Sequence, residues 1–99
     1  IGLTKTLSVE LGAEGIRVNS ILPGITDTSR VVSLMKSRAD KNNTTPEEER
    51  DKAANEIPLK RIGKPEEFAN TAVFLCSPAA GFITGVSLPV DGGTIRATM

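Results

Sequence analysis

Ninety-nine residues bound this chain to one small domain or to part of a larger one. Lysine plus arginine equals aspartate plus glutamate at twelve each, and this zero net charge argues against a nucleic-acid binder, which carries a basic excess. There is no His and no Tyr, and only one Cys, so the chain can assemble neither a His-based nucleophile system nor a His or thiolate zinc cage. No metal site and no catalytic residue are assigned.

In chain order, Ile1–Glu14 reads as a helix, with Leu3, Leu7 and Leu11 in one apolar stripe and Gly15 placed for a left-handed C-terminal cap. Nothing before Leu3 resembles an N-cap, so the chain is expected to begin inside this helix. Its first residues do not read as a secretory leader, and no apolar run reaches the length of a membrane span. The single Cys76 fits a reducing compartment, and a cytoplasmic location is expected.

Ile16–Leu22 has apolar residues on both faces and reads as a strand covered on both sides, as in a parallel sheet. Asn19 is expected to tie neighbouring loops together. Pro23 and Gly24 end the strand, and Gly24 permits close approach by a ligand. Thr26, Asp27 and Thr28 follow. They can bind a ligand at the strand's carboxyl end, or Asp27 or Thr28 can cap the next helix. The pattern supports both equally, and different residues can do each.

Ser29–Glu56 is dense in charge. Val31, Val32, Leu34 and Met35 make a short apolar patch, and Thr45-Pro46-Glu47-Glu48 has the form of a helix start with Thr45 as N-cap. That helix, with Ala53 and Ala54 as its main apolar contribution, is expected to be weakly anchored, and the whole stretch is expected to be a mobile helical flap over the strand end. A plain solvated insertion has the same composition.

Ile57–Gly63 is a connector. Pro65-Glu66-Glu67 opens a helix whose buried face is expected to hold Phe68, Ala69, Ala72, Val73, Leu75 and Cys76. Val86–Val90 reads as a last strand, with Pro89 marking an edge position, and Asp91-Gly92-Gly93 as a turn. Thr94–Met99 reads as a short tail. Helix, strand, flap, helix and strand make a layered α/β order. Two strands are too few for a stable open sheet, so the chain is expected to be the C-terminal part of a larger α/β domain.

Four stretches resemble the C-terminal portion of the short-chain dehydrogenase/reductase family. They are Gly2-Leu3-Thr4-Lys5 with Glu10-Leu11; Ile16-Arg17-Val18-Asn19 leading to Pro23-Gly24 and Thr28; Pro58–Gly63 with Pro65-Glu66-Glu67; and Phe74-Leu75, Ile83-Thr84-Gly85 and Val90-Asp91-Gly92-Gly93. The resemblance implies the last two strands of a Rossmann-like parallel sheet, their helices and a substrate lid over residues 29–56. It implies that Pro23, Gly24, Ile25, Thr26 and Thr28 line the nicotinamide half of NAD or NADP. Backbone near Thr26 and the Thr28 hydroxyl would then hold the carboxamide. Leu34 and Met35 become candidate substrate contacts.

By the same resemblance, the expected partners are a small carbonyl or alcohol substrate, such as a 3-oxoacyl thioester or a sugar, and further copies of the chain. Those copies would associate through the last helix and edge strand. The family's glycine-rich phosphate loop and its catalytic Ser, Tyr and Lys are not in this sequence. Lys5 does not match the family's Lys, because Ile1 stands where the Tyr would be. The chain alone is therefore expected to be inactive. The alternative is a non-catalytic binding or oligomerisation piece.

Overall fold

The computed structural model describes residues 2–95. Ile1 of the expected first helix, and all of the expected tail beyond Ile95, lie outside the described residues. Helix α1 (Gly2–Leu11) runs into a 3-10 turn at Gly12–Glu14. Gly15 closes it at φ 77°, its N–H bonding the Gly12 carbonyl, as the sequence predicts. Strand β1 (Ser20–Pro23) is followed by helices α2 (Ser29–Asn42), α3 (Pro46–Glu56) and α4 (Pro65–Cys76), then by strand β2 (Ser87–Val90).

The two strands pair in parallel, from Ser20 opposite Ser87 to Pro23 opposite Val90. β1 is shorter than the expected Ile16–Leu22, and Val18 lies outside the ladder. Residues 17–19 are held by other means, because side chains take up the groups that a neighbouring strand would otherwise meet. Thr84 Oγ1 accepts the Val18 N–H at 3.1 Å, and the Val18 carbonyl accepts from Gly85 N–H at 2.8 Å. Asn19 donates to the Ile83 carbonyl at 3.2 Å and accepts from Val86 N–H at 3.1 Å, tying the loops as expected. The Arg17 guanidinium caps the last turn of α4, donating to the carbonyls of Leu75 (2.7 Å) and Ser77 (3.3 Å). This places a cation at the negative end of the helix.

The ladder's parity fixes its two edges. Ser20 N–H donates to Val86 and Gly24 N–H to Val90, so even-numbered residues of both strands face the partner strand. Pro89 therefore turns its missing N–H outward, and the outer edge of β2 cannot accept a full ladder. Ile21 turns its N–H and carbonyl out from the other side of β1, where a further strand can add.

The core lies mainly in the helical stretch after β1: of the seven buried apolar residues among those described, Val31, Met35, Ala39, Ala53 and Ile57 come from residues 31–57. Val31, Met35 and Ala53 form one cluster, against which Ile25 and Ile62 pack. The flap expected to be weakly anchored thus has its own packed seam. Glu49, one of the charges of this stretch, is only 4% exposed. Thr44 Oγ1 donates to its carboxylate at 2.6 Å, Lys52 at 3.2 Å and Asn42 at 3.3 Å, and the Thr44 bond is the main cause that holds its pKa below the usual carboxylate value. Thr45 caps α3 as expected, its hydroxyl accepting from Glu48 N–H at 3.2 Å.

Elsewhere the apolar surface is uncovered. Leu3 on the expected stripe is exposed, and Ser8 is the buried residue of α1. On α4 only Leu75 is buried; Ala69, Val73 and Cys76 of the expected buried face are exposed, and so is Phe74. The accessible surface is 7157 Å², against about 5,400 Å² for a compact monomer of this mass. The radius of gyration is 16.9 Å, against about 13 Å. These residues do not close a globule around themselves.

Candidate functional site

The segment Pro23–Thr28 leaves the carboxyl end of β1, where open parallel sheets place their ligands. Strand β1 ends at Pro23-Gly24 as expected, with Pro23 itself paired to Val90 as the last rung of the ladder. Gly24 is needed for close approach, but the approaching group is protein. A Cβ at Gly24 would lie 2.7 Å from Asp91 Cβ and 2.8 Å from Asp91 Cα. Asp91 is itself fixed, its carboxylate accepting from Gly93 and Ile95 N–H, both at 2.9 Å.

Beyond Gly24 the chain stays extended and pairs with the connector between α3 and α4. Gly63 N–H donates to the Ile25 carbonyl at 2.9 Å, and Asp27 N–H donates to the Gly63 carbonyl at 2.8 Å. This single parallel bridge joins Gly63 to Thr26. An extended residue between two such bonds turns its own N–H and carbonyl to the opposite side, so Thr26 presents both away from Gly63. The Ile25 side chain packs against the cluster of Val31, Met35 and Ala53.

The two threonines differ. Thr26 is half-buried, and its hydroxyl donates to the Gly24 carbonyl at 3.3 Å. Thr28 stands at the N-cap of α2 with extended backbone, φ −123° and ψ 171°, and its carbonyl accepts the first helical bonds from Val31 and Val32. Its hydroxyl makes no capping bond and is exposed. The cap and the free hydroxyl therefore coexist in Thr28. Asp27, the alternative cap, instead forms an ion pair with Arg50 of α3, both guanidinium nitrogens reaching its two oxygens at 3.2 Å.

The two candidate substrate contacts on α2 also separate. Met35 is 0% exposed and part of the core, so its side chain offers no surface in this conformation. Leu34, beside it on α2, is 42% exposed. Neither the Gly63 bridge nor the Asp27–Arg50 pair has a sequence signal, because each joins residues more than twenty positions apart with no local pattern.

A hollow of about 150 Å³ lies between Ile25, Thr26, Gly63, Phe68 and Val90, below the roughly 300–1,000 Å³ of a ligand pocket. At its rim Arg61 grips Glu67 through two bonds of 2.7 Å, and the Lys64 N–H adds a third at 2.9 Å. The Arg61 bonds foremost, with the Lys64 N–H, hold the Glu67 carboxyl down at about 2. A second, open hollow of about 510 Å³ flanks the unpaired side of β1, lined by Arg17, Asn19, Ile21, Ala72, Leu75 and Cys76. Among the described residues no group of three or more His, Cys, Asp or Glu side chains is arranged to hold a metal. No helix there is long and apolar enough to cross a membrane.

Comparison with known proteins bears on this arrangement. The family model described as enoyl-(acyl carrier protein) reductase matches residues 1–94. A 3-oxoacyl-(acyl-carrier-protein) reductase of Thermotoga maritima is 39% identical over 95 residues, which are 96% of this chain and 34% of that protein. A 3alpha-hydroxysteroid dehydrogenase of Mediterraneibacter gnavus is 44% identical over 91 residues, 92% of this chain and 32% of that protein. The crystal structure of L-sorbose reductase from Gluconobacter frateurii, complexed with NADPH and L-sorbose, superposes with a TM-score of 0.89 at 36% identity. It covers 98% of this chain and 37% of that one. The chain thus spans about a third of the length of the curated relatives it matches. The expected fold, part of a Rossmann-like parallel-sheet domain, is confirmed by the parallel pair and by this superposition.

Proposed function

The chain belongs to the short-chain dehydrogenase/reductase family, and we propose that it forms the nicotinamide wall and substrate lid of an NAD- or NADP-dependent oxidoreductase. In this reading residues 1–99 are the C-terminal part of one Rossmann-type domain, with residues 29–56 as its lid. The carrying observation is the loop after β1, where Thr26 turns its backbone N–H and carbonyl away from Gly63 and Thr28 keeps its hydroxyl free of the helix cap. An amide such as the nicotinamide carboxamide needs such a set, with both donors and acceptors at one strand end.

When bound, the nicotinamide supplies or accepts the hydride. The residues of this chain bind and orient it. Pro23 and Gly24 set the loop's exit from the sheet, Ile25 anchors it on the lid core, and Thr26 and Thr28 fix the carboxamide. Leu34 offers apolar surface to the substrate, with Met35 supporting it from beneath. The substrate is a carbonyl or alcohol of the 3-oxoacyl-thioester or sugar class. Proton transfer falls to residues outside this sequence, which contains no Tyr. The chain alone is therefore inactive. The remainder of the domain adds at the Ile21 edge of β1 and covers the open hollow beside it. Copies of the full-length protein pair through α4, where Val73 and Phe74 are exposed, and past the Pro89 edge. A cytoplasmic location is part of this proposal.

The test is reduction of 3-oxoacyl thioesters, ketoses and steroid ketones by the full-length protein, followed at the reduced nicotinamide absorbance. Turnover of at least one class is expected, together with a Tyr and, four positions on, a Lys just upstream of Ile1. A full-length protein that lacks that pair and binds neither dinucleotide overturns the proposal. Stable cofactor-free oligomers of the 99-residue chain alone would favour a non-catalytic assembly role.

A further inference from the structure

Asp27 lies between the two threonines of the loop, and its partner lies on the lid. Its N–H is committed to Gly63, Ile25 two residues before it packs on the cluster of Val31, Met35 and Ala53, and Thr28 is the N-cap of α2. The Asp27 side chain is thus the loop's remaining handle, and Arg50 holds it at both oxygens.

Arg50 is held in turn. Its neighbour Glu49 is bound by Thr44, Asn42 and Lys52, and Ala53, three residues on, is packed on Met35 and Val31. The root of the Arg50 side chain is therefore fixed to the lid, and its guanidinium position reports where the lid sits. The pair is partly shielded, with side-chain exposures of 34% for Arg50 and 48% for Asp27. A two-point grip between planar groups also fixes orientation, which a single contact does not.

We propose that Arg50 is a positioning residue for the dinucleotide loop, holding Asp27 so that Thr26 and Thr28 keep the spacing that receives the nicotinamide amide. This rests on the oxidoreductase reading above. A lid displaced from the loop breaks the ion pair and releases Thr28, so lid position and dinucleotide affinity are coupled. The coupling is reciprocal, and bound dinucleotide steadies the lid.

The test uses the full-length protein with NADH and NADPH as probes. Arg50→Gln and Asp27→Asn are each expected to raise the dinucleotide dissociation constant about three-fold, in line with a half-exposed ion pair. Without dinucleotide, both are expected to speed backbone hydrogen exchange over residues 27–32. The double variant Asp27→Arg with Arg50→Asp restores most of both. Raising the salt from about 0.05 to about 0.5 M shrinks the difference between wild type and Arg50→Gln. Unchanged affinity and exchange in Arg50→Gln overturns the positioning role, as does a charge-swapped variant no better than the single ones. Failure of the wild-type protein to bind either dinucleotide overturns the oxidoreductase reading itself, so the two failures are told apart.

Discussion

Gly24 and Asp91 touch backbone to backbone where the two strands end, so closely that a Cβ on Gly24 would sit 2.8 Å from Asp91 Cα. The contact joins the loop after β1 to the turn after β2. Gly24→Ala must push one of these segments aside, because the obstacle is backbone rather than a flexible side-chain tip. We expect a loss of about 1–3 kcal/mol, the usual cost of overpacking, read as a lower melting temperature of the full-length protein. Unchanged melting would show that the strand ends are free to separate.

Thr28 separates binding from stability. Its hydroxyl makes no capping bond, so Thr28→Val is expected to leave the melting temperature nearly unchanged. Dinucleotide affinity is expected to fall by about 1 kcal/mol, roughly five-fold, the worth of one neutral hydrogen bond. Thr28→Ser keeps the hydroxyl and is expected to bind like wild type. Titration of the cofactor's fluorescence measures all three.

Met35 and Leu34 are neighbours with opposite roles. Met35 is fully enclosed with Val31 and Ala53, so Met35→Ala leaves a cavity and is expected to cost about 2–5 kcal/mol of stability. Leu34 is 42% exposed, so Leu34→Ala is expected to change melting little and to raise KM for the substrate. If chemical denaturation shows equal losses for both, Leu34 is packing rather than lining.

Glu67 gives the connector a defined pH response. Its folded pKa is depressed to about 2 from the ordinary 4.5, chiefly by Arg61. A depressed carboxyl stabilises the fold above its unfolded pKa, and that contribution is lost as pH falls through the folded value. Wild type is therefore expected to melt above Glu67→Gln at pH 7, with the gap closing between about 4.5 and about 2. Because Arg61 and Glu67 are both well exposed, the gap is expected to be small and to shrink with salt. Paired melts across that pH range measure it.

What the sequence determined by itself was local or periodic. Gly15 demanded a left-handed cap, Thr45 and Pro46 a helix start, Pro89 an edge, and Asn19 a tie between loops; each follows from one residue's backbone or hydrogen-bonding chemistry. The resemblance to the family was carried by four stretches, among them Pro23-Gly24 leading to Thr28. Only the tertiary structure decided which groups are committed and which are left available. It shortened β1 to Ser20–Pro23, because a strand exists only where a partner's groups meet it. It buried Glu49 from a charge-dense stretch and enclosed Met35, a candidate substrate contact, because two helices laid side by side make an interior out of few apolar residues. It also joined Asp27 to Arg50 and Thr26 to Gly63 across long stretches of chain, contacts set by the packing of whole elements rather than by any short-range pattern.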